Sequence, residues 1–469
     1  MTHRLFTVVA ALGALTTAAA GAAQEGAGEP GPTPEQRFFD WTAMPFPAGV
    51  FDRRRAAVAA ALRETDGGVL LVPARDGFSY GETFRQLDDF YYFTGLELPN
   101  SVLAVPAEAA RAQLFVPGRD ARFENPSRPN DYPGRPLGED PELARRAGKV
   151  DVRAYGELAG AVAGWVEAGR PIWVDAGRRG AAGDPASDFV FTWSPGEALW
   201  FHLRALHPGA DLRNAYEPVA RLRMVKGPEE IAVLRRAARL TADGIAHAAG
   251  FIRDGVDERT LEAELEAAFK RGGSQRLAFD SIIKSGPNSL WPWRVLAAHY
   301  DRRNRAMRDG ELVIFDVGCE LDHYASDAGR TFPVSGRFSP RQRELVEMAT
   351  AVADAVIAAV RPGRTFAELQ AVAEAAIPPA ERRHMQTGLF FGHHIGLAVG
   401  DPRLEERPLA PGMVFTVEPW YYNHGEGVAV FLEDDVLVTE EGCENLTASL
   451  PRSPGELEAL VMAGRAGQR

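Results

Sequence analysis

The sequence predicts a two-domain protein, an α/β unit followed by an α+β unit, and three observations predict it. The chain has 469 residues, 45% hydrophobic and 25% charged, which is more than one core usually organises. Short apolar strand patterns alternate with helical patches through residue 206. Beyond a proline-interrupted stretch at 207–226, long amphipathic helices are followed by two apolar strand pairs that carry acidic residues.

At the start, His3 and Arg4 precede an apolar run at 5–20 and the small residues Ala20-Gly21-Ala22-Ala23, the pattern of a signal peptide over 1–23. That run is shorter than the ~20 residues a bilayer core requires, so export to a periplasm or medium is expected, with no stable membrane anchor. Residues 24–37, rich in Gly, Pro and Glu, read as a flexible tether. The first domain is expected over 38–217 and the second over 218–469. Alanine, leucine and arginine favour a helix at 52–65, which Gly67-Gly68 breaks before a strand at 69–72. Further strands are expected at 89–94, 101–105, 113–116 and 171–174, with a helix at 155–167. Pro208-Gly209 and Pro218 interrupt the pattern, and Pro228 suits the first turn of a helix that lines up Ile231, Leu234, Ala238, Thr241 and Ile245. Helices at 258–271, 340–360 and 367–376 follow.

The 52 basic and 64 acidic residues leave a net charge of −12 without a basic run, which argues against a nucleic-acid partner and for a small or peptide substrate. Two cysteines, Cys319 and Cys443, cannot form a disulfide framework. Neither Gly-x-Ser-x-Gly nor a phosphate cradle ending in Lys-Ser/Thr occurs, which disfavours serine hydrolases and P-loop enzymes.

The stretch 311–327 reads as a strand, a tight turn near Leu321-Asp322 and a returning strand, with Asp316 and Asp327 directly opposed. Later, apolar strands at 413–421 and 428–438 flank the turn 423–427, and Glu418 and Glu433 are again equidistant from its centre. Like charges on one face of a hairpin repel, and each of these acids sits in an apolar run where an unpaired charge is costly. One such acid alone reads as a surface ion pair. Two matched pairs make metal coordination the economical account. Gly392-His393-His394 offers an imidazole, and four carboxylates with one imidazole suit two borderline or hard divalent ions better than calcium.

Together these motifs carry a resemblance. Phe279 to Ile283, Ser285-Gly286-Pro287-Asn288, His299-Tyr300, the hairpin from Asp316 to Pro333, Thr416-Val417-Glu418-Pro419 and Glu433-Asp434-Asp435 are similar to the pita-bread metallopeptidases. The stretch Arg221 to Ile231 resembles the start of the catalytic domain in aminopeptidase P, prolidase and creatinase relatives, and Phe84 to Gly95 resembles their N-terminal domain. The resemblance implies a creatinase-like α/β domain followed by an α+β pita-bread catalytic domain. It also implies two ions, manganese first among manganese, cobalt, iron and zinc: Asp316 on one, Asp327 and Glu433 bridging, His393 and Glu418 on the second. A hydroxide between them would attack a peptide carbonyl, Glu418 would exchange the proton, and His299 would contact substrate. A homodimer or homotetramer is a further implication.

The expected activity is that of a metal-dependent exopeptidase cleaving an N-terminal Xaa-Pro bond, with Tyr91, Trp291, Trp293 and Tyr422 as candidate aromatic walls for the proline ring. Metal-free, creatinase-like chemistry is disfavoured because all five ligand positions hold competent residues. The pattern departs from those relatives at four places. Leu389 and Gly400 stand where two histidines are usual, Phe431 where an arginine is common, and Gly329 where threonine is usual. Two further readings therefore stay open: a dinuclear hydrolase of the same fold acting on another amide or an ester, or a catalytically weak metal-binding protein.

Overall fold

The computed structural model describes residues 44–76, 84–117, 141–178, 193–291, 304–385, 392–404 and 407–467; the expected signal peptide and tether, Trp293, His299 and Leu389 lie outside them. The first unit contains helix α1 (Ala48–Arg63), β1 (Val69–Pro73), α2 (Asp88–Thr94), β2 (Val102–Pro106), β3 (Ala112–Val116), α3 (Pro141–Ala147), β4 (Val150–Ala154), α4 (Leu158–Glu167), β5 (Ile172–Val174), α5 (Pro195–Leu206) and β6 (Leu212–Asn214). Its six strands form one mixed sheet in the order β4-β3-β2-β1-β5-β6, with β1, β5 and β6 parallel. The α/β expectation holds, but the strand expected at 89–94 is α2. A continuous buried apolar run cannot distinguish strand from short helix by period. Asp88 and Asp89 favour the helix N-terminus, and Gly95 at φ 66 supplies the left-handed cap that ends it.

Helix α6 (Tyr216–Met224) packs on α1, so the boundary expected at 217/218 falls inside a helix of the first unit. The connection runs instead through Val225-Lys226-Gly227 to α7 (Pro228–Ala249), whose Pro228 does occupy the first turn. After α7 come α8 (Glu258–Arg271), β7 (Arg276–Leu277), β8 (Ile282–Ser285), β9 (Leu312–Val317), β10 (Cys319–Leu321), β11 (Tyr324–Ala325) and β12 (Ala328–Pro333). Helices α9 (Pro340–Ala359) and α10 (Phe366–Ala376) pack together. Strands β13 (Val414–Val417), β14 (Trp420–Asn423), β15 (Val428–Phe431), β16 (Asp434–Val438) and β17 (Cys443–Asn445) precede α11 (Pro454–Gly467). No helix among the described residues is long and apolar enough to cross a membrane.

The strand pairs expected to be continuous are interrupted at the acidic residues. Glu418 falls between β13 and β14, Glu433 between β15 and β16, and Asp327 between β11 and β12. The second hairpin has the expected register: Trp420 pairs with Phe431 and Val417 with Asp434, which leaves Glu418 facing Glu433. The first does not. Its turn is Asp322-His323, both at positive φ, so Asp316 pairs with Gly329 and Asp327 lies diagonally across on the same face.

Buried ion pairs join the units. Arg54 lies 3.1 Å from Glu230 and donates to Tyr324 Oη at 3.2 Å. Arg223 reaches Asp88, Asp89 and Asp401, and Arg276 reaches Glu97 and Glu320.

Candidate metal centre

Backbone joins between segments distant in sequence assemble the centre. Gly329 pairs with Asp316 of β9 on one side and exchanges two hydrogen bonds with Glu433, at 3.2 and 3.0 Å, on the other. The two hairpins therefore meet at a residue without a side chain. On the far side, Thr416 N–H donates to the His393 carbonyl at 2.9 Å, and His393 N–H donates to Thr416 Oγ1 at 3.1 Å. Gly392 makes that approach feasible, since at φ 81 any Cβ there would lie 1.9 Å from Thr416 Oγ1.

These joins bring Asp327, His393 and Glu433 together, with Glu418 beside His393 and Asp316 near enough to act on the other carboxyls. Ligand atoms of Asp327, His393 and Glu433 lie within 4.8 Å of one another. His393 Nε2 is 3.6 Å from Asp327 Oδ2 and 3.9 Å from Glu418 Oε1. The charge of Asp316 acts on Asp327, Glu418 and Glu433. Without a cation the carboxyls resist ionisation. Burial and then Asp316 hold Asp327 well above the usual carboxylate range, burial and then Asp327 do the same to Glu433, and burial and then Asp316 push Glu418 up to about 8. Asp327 Oδ1 and both Glu433 carboxylate oxygens are buried with no hydrogen-bond partner among the described residues. Buried oxygens are normally satisfied, so acceptor atoms left free beside an imidazole fit divalent cations.

Of the paired histidines, His394 is buried against Phe366 and Phe415, and burial pushes its ring down to about 3, so it is packing. His323 stacks on Tyr91 and hydrogen-bonds Glu97, His384 sits on the Tyr422 carbonyl, and His424 lies against the exposed Trp291. Tyr91 is therefore no wall of the cluster. It is buried between the two units with its ring centroid 3.7 Å from that of His323. Tyr422 is at the cluster: burial, Asp316 and Glu418 raise its hydroxyl far above the ordinary tyrosine range, and the hydroxyl has no partner among the described residues. Burial pushes the Cys319 thiol up to about 11, and the charge of Asp435 adds to the shift.

Several contributors escaped the sequence reading. Trp420 Nε1 donates to Glu418 Oε2 at 3.4 Å, and Asp435 Oδ2 accepts from Asp327 N–H at 3.1 Å. Arg330, fully buried, donates to the Glu433 carbonyl at 2.6 Å and to Asp434 at 2.7 Å. The register centred in the second hairpin would have revealed Trp420, because it puts Trp420 and Phe431 beside the Glu418–Glu433 pair on one face.

Residues 232–440 match the family model described as metallopeptidase family M24, and residues 51–125 match the aminopeptidase P N-terminal domain. The chain is 31% identical to the Xaa-Pro aminopeptidase of Escherichia coli over 452 residues, covering 88% of this chain and 98% of that protein. A putative aminopeptidase P structure from Bacillus anthracis superposes with a TM-score of 0.76 at 25% identity, covering 89% of this chain and 99% of the other. The E. coli aminopeptidase P structure with the inhibitor Pro-Leu gives 0.73 at 29% identity, covering 90% and 99%.

Proposed function

Since the chain belongs to metallopeptidase family M24 and carries an aminopeptidase P N-terminal domain, we propose that it is an Xaa-Pro aminopeptidase that removes the residue ahead of a penultimate proline. The observation that carries this is the cluster of Asp327, His393 and Glu433, with Glu418 beside it and buried carboxylate oxygens left free. Asp316 would hold one ion, Asp327 and Glu433 would bridge, and His393 and Glu418 would complete the second site, with manganese the first candidate. Divalent ions bound there would supply Lewis acidity and a water acidic enough to react near neutral pH.

The chain's own groups then have separable tasks. Glu418, its Oε1 turned toward His393, is placed to accept a proton from the attacking water and return it to the leaving amine. Tyr422, close enough for Asp316 and Glu418 to act on its hydroxyl, borders the carboxylates, and Trp291 keeps its expected role as an aromatic wall. His299 and Trp293 keep their expected roles in substrate contact. A second reading, a hydrolase of another amide or an ester, is favoured by Phe431, which puts an apolar ring beside the site.

Protein loaded with manganese, cobalt or zinc, assayed on matched peptides with proline or alanine second, is expected to cleave the proline series at least tenfold faster. Equal rates, or turnover of esters alone, would favour the second reading; no turnover of any substrate would leave only metal binding. We also propose export, supported by the pattern at 1–23. Mass spectrometry of protein from the native host should find a start near Gln24, and retained Met1 contradicts it.

A further inference from the structure

A metal-binding carboxylate presents two oxygens, and a neighbour that holds one of them decides where the other points. In Glu418, Oε1 lies 3.9 Å from His393 Nε2 while Oε2 accepts from the Trp420 indole N–H. The indole is itself held. Its ring stacks on Phe431 at 3.6 Å between centroids and 21° between planes, and on Tyr422 at 5.5 Å and 10°. Phe431 in turn occupies space that only glycine leaves open, since a Cβ at residue 329 would lie 2.0 Å from its Cε1 and 2.4 Å from its Cδ1. Gly329 is also the residue that joins Asp316 to Glu433.

We propose that Trp420 is a positioning residue that turns Glu418 Oε1 toward the Asp327–His393–Glu433 centre, and that Phe431 and Gly329 form the seat of its indole. The inference rests on the metal-centre reading above. The three residues act as one unit because each fits only with the others: a side chain at 329 collides with Phe431, and a displaced Phe431 frees the indole. Partners that orient a metal ligand typically contribute 10- to 100-fold in metal affinity or activity.

Trp420→Phe keeps an aromatic ring in the stack and removes the N–H. Cobalt affinity is expected to fall about tenfold and the visible absorption of the cobalt-loaded protein to shift. On an Xaa-Pro tripeptide, kcat is expected to fall by about the same factor with KM little changed, while the melting temperature of the metal-free protein stays as in wild type. Cobalt affinity, spectrum and kcat all equal to wild type overturn the proposal. The seat is tested by Gly329→Ala, which pushes the Phe431 ring aside, and by Phe431→Leu, which removes it; each should also weaken cobalt binding. Cobalt affinity equal to wild type in Phe431→Leu overturns the seat even where Trp420→Phe does not fold. Wild-type protein that binds no cobalt sinks the metal-centre reading and this inference together, whereas wild type that binds it and a Trp420→Phe variant that behaves identically sink this inference alone.

Discussion

Asp327 and Glu433 each bury a carboxylate with an oxygen that nothing among the described residues satisfies, and each lies within reach of His393. If both bridge, Asp327→Ala or Glu433→Ala should reduce bound manganese from about two ions per chain to none, read by metal analysis after equilibration; a variant that keeps full content is not missing a bridge. Of the four departures from the expected pattern, two replace a histidine, at Leu389 and Gly400. Gly400 has open space where a Cβ would go and a backbone outside the left-handed region, so a histidine is free of strain there. Gly400→His with Leu389→His should raise kcat/KM on an Xaa-Pro peptide about tenfold or more, within what general acid–base groups contribute. An unchanged rate would mean that no task was left undone in the wild type.

Strands meet at the centre through interruptions, and the elements are held at those interruptions by charges. Arg330 of β12 ties Gly329, Glu433, Asp434, Leu450 and Pro451 together in full burial. Arg330→Met should lower unfolding stability by about 3 kcal/mol or more, the usual result of breaking a buried pair, and denaturant melts would record it. Arg452 and Thr447 remain to hold Asp434. In the first unit, Asp175 follows β5 and faces Asp89 of α2, and burial and then that neighbour push it up to about 8. Its folded-state value thus exceeds the unfolded value of ~3.9. The folded protein holds a proton that the unfolded chain releases, so this contribution to stability is lost as pH rises from about 4 to about 8. Asp175→Asn cannot ionise and should flatten that part of the melting-temperature profile, gaining on wild type at pH 8 relative to pH 5.

Across the whole molecule, the two units share buried and part-buried cations rather than a loose contact. Arg54, Arg85, Arg223 and Arg276 each reach a carboxylate of the other unit, and Tyr91 packs on His323 across the same boundary. Any partial opening that leaves one of these charges buried without its partner costs several kcal/mol. Metal-free protein should therefore unfold in one calorimetric transition, with the calorimetric and van't Hoff enthalpies equal. Two resolved transitions would show that the units fold independently. The arginines also bear on the site: Arg85 donates to the Leu397 carbonyl, and Arg223 and Lys226 fix Asp401, whose N–H donates to the carbonyl of His394, next to His393.

What was legible in the sequence is what repeats locally. Helix α7 was visible from its apolar spacing and Pro228, and the Glu418–Glu433 pairing from apolar strands set evenly about a glycine-rich turn, because side-chain period and register follow from backbone geometry. Only the tertiary structure decided the rest. The run Phe90 to Thr94 was not legible as helix because every side of it is buried and its period carries no information, while Asp88-Asp89 and the Gly95 cap set it as one. Asp316 and Asp327 moved to a diagonal because the turn formed at Asp322-His323, one residue later than expected, a choice made by two positive φ angles. Which histidine faces the carboxylates was decided by the Thr416 join, and the fit of Phe431 against Gly329 by contact across about a hundred residues of chain. Packing of that range has no local pattern to announce it, since it depends on which surfaces fill one another once the strands have met.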